Sequence, residues 1–141
     1  MKCKVYYTSS RNVAKVIAQA LAQKAGVYAE PLNPAYMPDG VELMFLGCDG
    51  SRIDSVVLSF IESLRPERVR YAALFNTNSK LSSRGIETMK DELQARGIRV
   101  LENSFICLSR PFQKAVSDFD LDTARDFALA SIREVQRHLT K

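Results

Sequence analysis

The stretch Cys3-Lys4-Val5-Tyr6-Tyr7-Thr8-Ser9-Ser10-Arg11-Asn12-Val13 decides how this chain is read. An apolar strand pattern runs through four polar residues directly into an amphipathic helix. The first turn of a helix leaves backbone N–H groups unpaired and carries the positive end of the macrodipole. Hydroxyls at Thr8, Ser9 and Ser10 beside those amides make a phosphate-binding corner. The same residue types also cap helices with no ligand present, so capping stands as the competing reading.

Outward from that corner, Val13, Val16, Ile17, Ala20 and Leu21 follow the spacing of one helix face, and Gly26 ends the helix begun near Asn12. The pattern returns in residues 53–64 with Ile53, Val56, Val57, Phe60, Ile61 and Leu64, before Pro66 stops it. A third helix is expected from Ser83 to Arg96, closed by Gly97, and a last one from Asp120 to Leu139. Between them lie apolar runs without clean alternation: Val5–Tyr7, Leu43–Leu46, Tyr71–Phe75 and Ser104–Leu108. Strands buried on both faces look like this. A weaker run, Val27–Leu32, supplies a fifth strand, and the prolines after it predict a loop. Strands alternating with helices imply an α/β protein, a parallel sheet with helices on both faces. Binding sites in such sheets form at the carboxyl ends of the strands. That directs attention to Thr8–Asn12, Gly47–Arg52 and Asn76–Ser83.

A chain of 141 residues with 46% hydrophobic residues fits one domain, 1–141, with a continuous core. No apolar run approaches the roughly 20 residues that span a bilayer, and the start lacks the apolar core of a secretion signal. The expectation is a soluble cytoplasmic protein that does not bind membranes. Cys3, Cys48 and Cys107 are far apart and have no histidine near them, so they read as buried reduced thiols rather than metal ligands. Cys48, where a strand meets a loop, is the one with an alternative reactive reading. The net charge is +4, and residues 65–114 hold ten Lys or Arg against five Asp or Glu. That excess suits an acidic partner protein, with a mixed solvated surface as the competing reading. It does not favour nucleic acid, because the basic residues are not interleaved with aromatics.

Several chemistries lack their residues. The single histidine, His138, lies near the end of the last helix, which leaves no Ser-His-Asp or Cys-His device. Cys3 is inside a strand and too far from Arg11 to form a phosphatase loop. The first loop has no carboxylate for a receiver domain, and Asp49-Gly50 reads as a turn. Neither a Gly-x-Gly-x-x-Gly fingerprint nor a P-loop occurs.

With these residues in order, the chain resembles the flavodoxin family in its short form. Thr8-Ser9-Ser10-Arg11-Asn12-Val13 sits where that family carries T/S-x-T-G-x-T, its FMN phosphate loop. Phe45-Leu46-Gly47, Ala73-Leu74-Phe75-Asn76-Thr77 and the closing Asp120–Ala128 segment look like further landmarks, in the right order. The resemblance implies a three-layer flavodoxin-like fold, with a five-stranded parallel sheet of order 2-1-3-4-5. It also implies FMN as cofactor and electron transfer to a redox partner protein, with no catalytic residue or metal. The cofactor-binding set it implies is Thr8, Ser9, Ser10, Arg11, Asn12, Val13, Cys48, Asp49, Gly50, Asn76, Thr77 and Asn78. This chain departs from the pattern where Arg11 replaces the family glycine and Val13 its last threonine. A left-handed Arg11 would cost on the order of 1–2 kcal/mol. The loops after Gly47 and Asn76 also carry no aromatic residue; Tyr36 and Phe112, in other loops, are the remaining aromatics near enough in the order to meet a flavin ring, and packing under a loop is their competing reading. The alternative reading is a flavodoxin-fold interaction or regulatory module that no longer binds flavin.

Overall fold

A computed structural model describes residues 1–8, 12–80, 82–108 and 116–140. The chain runs β1 (Cys3–Tyr7), α1 (Val13–Ala25), β2 (Ala29–Pro31), β3 (Val41–Asp49) and α2 (Ser55–Glu62). It continues through β4 (Val69–Asn78), α3 (Arg84–Ala95), β5 (Arg99–Val100), β6 (Phe105–Leu108) and α4 (Asp118–Leu139). Strand order is β2-β1-β3-β4-β5, with β6 also paired to β4, and every pairing is parallel. The expected order 2-1-3-4-5 is therefore present, with the last expected strand, Ser104–Leu108, seen as β6 and the short β5 added on the same edge. Val100 pairs beside Ala72 and Phe105 beside Phe75, so the short β5 and β6 lie in turn along one edge of β4.

Side chains alternate between the two faces of the sheet, and both faces are covered. Val5, Leu43, Phe45, Ala73 and Phe75 pack with Ile17 and Leu21 of α1 and Phe127 and Ala128 of α4. The intervening Met44, Leu46, Ala72 and Leu74 pack with Phe60 and Ile61 of α2 and Met89 and Leu93 of α3. Burying each large apolar side chain contributes about 1.5–3 kcal/mol, which fixes strand register because a one-residue slip would exchange the two faces.

Several expected boundaries move. Residues 47–49 and 76–78 continue β3 and β4 instead of opening loops. The reason is that their backbones pair with neighbouring strands, and Asn76 and Thr77 add side-chain bonds across the strand ends, as described below. α2 is shorter than 53–64 because Asp54 caps it, its side chain accepting from the Val56 N–H at 3.2 Å. α4 begins earlier, after Ser117, whose hydroxyl accepts from the Asp120 N–H at 3.2 Å and donates to the Asp120 carboxylate at 2.9 Å. Among the described residues no helix is long and apolar enough to cross a membrane.

Candidate functional site

β1 lies between β2 and β3, so the chain turns in opposite directions on either side of it. The crevice at the carboxyl ends of β1 and β3 is the switch point at which ligands bind in open α/β sheets. The Thr8 N–H donates to the Gly47 carbonyl at 3.0 Å, which anchors the start of the first loop to β3. Ser9, Ser10 and Arg11 lie outside the described residues. Asn12 has φ 66° and ψ −5° and is followed by buried Val13 at the first position of α1. Asn12 is the one non-glycine with positive φ among the described residues. Asparagine tolerates this left-handed conformation better than most side chains, because its short amide bonds locally.

The amino end of α1 differs from the other helix starts. Asn12 makes no side-chain cap bond, and the first turn holds no acidic residue. α2 and α4 have cap bonds, and α3 carries Glu87 in its first turn. Among the described residues, then, α1 alone has neither device. Its first amides and dipole are not met by a described side chain. The capping reading of the Thr8–Val13 stretch does not hold for Asn12, and Ser9 and Ser10 lie outside the described residues.

The ends of β3 and β4 are arranged differently. Asn76 is fully buried, and its amide nitrogen donates to the Cys48 carbonyl at 2.9 Å, to the Gly50 carbonyl at 2.8 Å and to the Cys48 sulfur at 3.6 Å. The Thr77 hydroxyl donates to the Asp49 carboxylate, and the Gly50 N–H donates to the Thr77 carbonyl at 2.6 Å. These bonds hold the turn at Gly50 against the end of β4. Cys48 is buried, and its thiol is pushed up to about 11, first by burial, with the Asn76 hydrogen bond lowering it and Asp49 and Asp54 raising it further. It is a protonated, inert thiol at neutral pH. Gly47 is required by close approach: a Cβ there would overlap the Phe75 ring beside it in β4.

Two polar atoms in this region have no partner among the described residues: the Asn76 side-chain oxygen and the Asn78 side-chain nitrogen. Asn78 is 6% exposed, and its oxygen accepts from the Lys80 N–H at 3.4 Å. Buried polar atoms without partners are uncommon, and an orphaned amide donor at the carboxyl edge of a sheet suits an acceptor on a ligand. Tyr36, 76% exposed, lies in the loop that leaves β2, which starts at the same edge with the Leu32 N–H donating to the Tyr7 carbonyl at 2.9 Å. Phe112 lies outside the described residues.

FMN would need an anion corner and polar groups for its ring. An amino end of α1 that no described side chain caps suits a phosphate, and the orphaned Asn78 amide suits a ring carbonyl or nitrogen. Cys48, Asp49, Gly50, Asn76 and Thr77 are engaged with one another beside that space.

No protein-family model matches the chain, and no curated protein does. Solved structures do. Rubredoxin oxygen:oxidoreductase from Desulfovibrio gigas superposes with a TM-score of 0.72 at 15% identity, covering 99% of this chain and 37% of that one. Oxidised flavodoxin 2 from Bacillus cereus also gives 0.72, at 14% identity, covering 95% of this chain and 99% of that one. Two-electron reduced Megasphaera elsdenii flavodoxin gives 0.61 at 14% identity, covering 90% and 98%. The present chain thus corresponds to about a third of the first protein and to nearly the whole of the two flavodoxins. Parallel order, two helical layers and these superpositions give one conclusion: the chain has the flavodoxin-like fold.

Proposed function

We propose that this protein binds FMN at the carboxyl edge of its sheet and carries electrons to a redox partner protein. The observation that supports this most is the amino end of α1, uncapped by any described side chain and placed at the switch point of a flavodoxin-like sheet. The phosphate would take the α1 amides with the Thr8, Ser9 and Ser10 hydroxyls, and Arg11 and Asn12 would border it. Asn78 would donate to the ring, and Tyr36 would cover it. FMN, when bound, supplies the electron chemistry. The chain's own part is to hold the phosphate, fix the ring against β3 and β4 and limit water around it. The basic excess in residues 65–114 supports an acidic partner.

The second reading, an interaction module without flavin, draws on the same strand ends. Asn76 and Thr77 spend their hydrogen bonds on Cys48, Asp49 and Gly50. The following loops bring no aromatic residue. Adding FMN to the purified protein separates the two readings. Carriage predicts a saturating change in the flavin bands with loss of flavin fluorescence. A folded protein that shows neither at high micromolar FMN is the interaction module.

A further inference from the structure

We infer a second anion site at the opposite, amino edge of the sheet, in the cavity between the starts of β4 and β5, built to take a phosphoryl group. It lies beyond the flavin reading, since it shares no residue with the α1 corner. The cavity, of about 260 Å³, is lined by Pro66, Arg70, Tyr71, Gly97 and Arg99. That is slightly below the roughly 300–1,000 Å³ of clefts for drug-sized ligands, so its natural occupant is small or enters by one end.

Three donors face this space. Arg99 donates from Nη1 to the Tyr71 hydroxyl at 3.3 Å, and its guanidinium carbon lies 5.9 Å from the centre of the Tyr71 ring. His138, near the end of α4, stacks on that ring with centroids 5.6 Å apart and planes 13° from parallel. Tyr71 is only 7% exposed and held by both neighbours, so its hydroxyl is fixed. That oxygen accepts from Arg99, and no described residue takes its proton, which leaves an O–H to donate into the cavity. Arg70 adds a second guanidinium.

The charge there is not neutralised. Segments 65–70 and 96–99 contain Arg65, Arg68, Arg70, Arg96 and Arg99 against a single Glu67. None of the five arginines forms an ion pair with a described residue. The ion pairs formed among the described residues are Lys4–Glu30 and Arg125–Asp122. Two guanidinium forks and a phenol offer more donors than a single carboxylate accepts, and they match the several oxygens of a phosphoryl dianion. The source is either free phosphate or the phosphate of an ester.

The test is a titration of the full-length protein with inorganic phosphate at constant ionic strength, followed by backbone amide NMR, with AMP as the ester arm. Amides of residues 67–71 and 97–99 should move together along one saturating curve, separately from any response near Thr8–Val13. Arg70→Gln and Arg99→Gln should each weaken this binding by about tenfold or more. Both side chains are exposed, so either variant is expected to fold. Arg133→Gln, which lies outside the cavity, should leave it unchanged. Tighter binding of AMP than of phosphate identifies an ester ligand, and equal binding identifies the free anion. Shifts that do not saturate, or affinity unchanged in either cavity variant, would overturn the proposal.

Discussion

The two corners of the sheet's carboxyl edge solve the same problem in opposite ways. Where β3 and β4 end, polar groups satisfy one another: Asn76 reaches the Cys48 and Gly50 carbonyls, and Thr77 reaches Asp49. Where β1 ends and α1 begins, Asn12 turns left-handed without bonding the helix, and no described side chain meets the first amides. A closed network stabilises the fold, whereas helix amides that no described side chain meets are the kind of group an anion can take. Polar residues at a strand end are therefore not by themselves a binding site.

The largest expected effect breaks the closed corner. Asn76→Asp places a carboxylate where an amide now donates to two carbonyl oxygens in a fully buried position. Loss of both bonds and burial of an unpaired charge should cost about 4 kcal/mol or more, read by urea unfolding at neutral pH. Partial recovery is expected in acid, where the protonated carboxyl again has a hydrogen to donate. A loss below about 1 kcal/mol would mean that the corner is open after all.

Next comes alkaline pH. Folding raises the Cys48 thiol from an ordinary 9.0 to about 11, chiefly by burial. The unfolded chain therefore releases this proton earlier than the native one. Its stabilising contribution is intact below about pH 9 and declines as pH rises toward 11, by on the order of 2 kcal/mol. Burial raises Cys107 to about 11 as well, and Tyr6 to about 12, so the wild-type loss has several sources. Comparing wild type with Cys48→Ala across that interval isolates the share of Cys48. Equal slopes in the two proteins would show that the thiol is not held dry.

Gly47→Ala comes third. Its new methyl would overlap the buried Phe75 ring, and repacking a full core should cost about 2 kcal/mol in the same unfolding assay. The smallest effect belongs to the open corner. Asn12→Asp supplies the missing negative charge at the start of α1 and should raise apo stability by about 0.5 kcal/mol. The same charge should repel a phosphate. Unchanged stability would indicate that the first turn is already satisfied.

Most of the fold was legible because burial left a periodic trace. Ile17 and Leu21 mark a helix face, and the unbroken apolar runs at Leu43–Leu46 and Tyr71–Phe75 mark strands covered on both sides. The strand ends were misread for a physical reason. Asp49, Asn76, Thr77 and Asn78 have the composition of a loop, and it is parallel pairing with distant strands, joined by the side-chain bonds of Asn76 and Thr77, that keeps them in β3 and β4. The break between β5 and β6 was also invisible, since Arg99-Val100 is too short to give a period. At the site, the sequence directed attention to Thr8–Asn12; Arg11 lies outside the described residues, and the left-handed residue described there is Asn12. It missed Tyr71, Arg99 and His138 as a group, because a stack between the start of β4 and the end of α4 leaves no local pattern.

The claim that the α1 corner recognises a phosphate is tested most directly by the ratio of FMN to riboflavin affinity in the wild-type protein. The two ligands share the ring and differ in the phosphate. Contacts from helix amides and hydroxyls to a dianion are worth about 1.5–3 kcal/mol each, so FMN should bind at least about tenfold more tightly than riboflavin. Equal affinities would contradict the account and place any flavin binding elsewhere than at the amino end of α1.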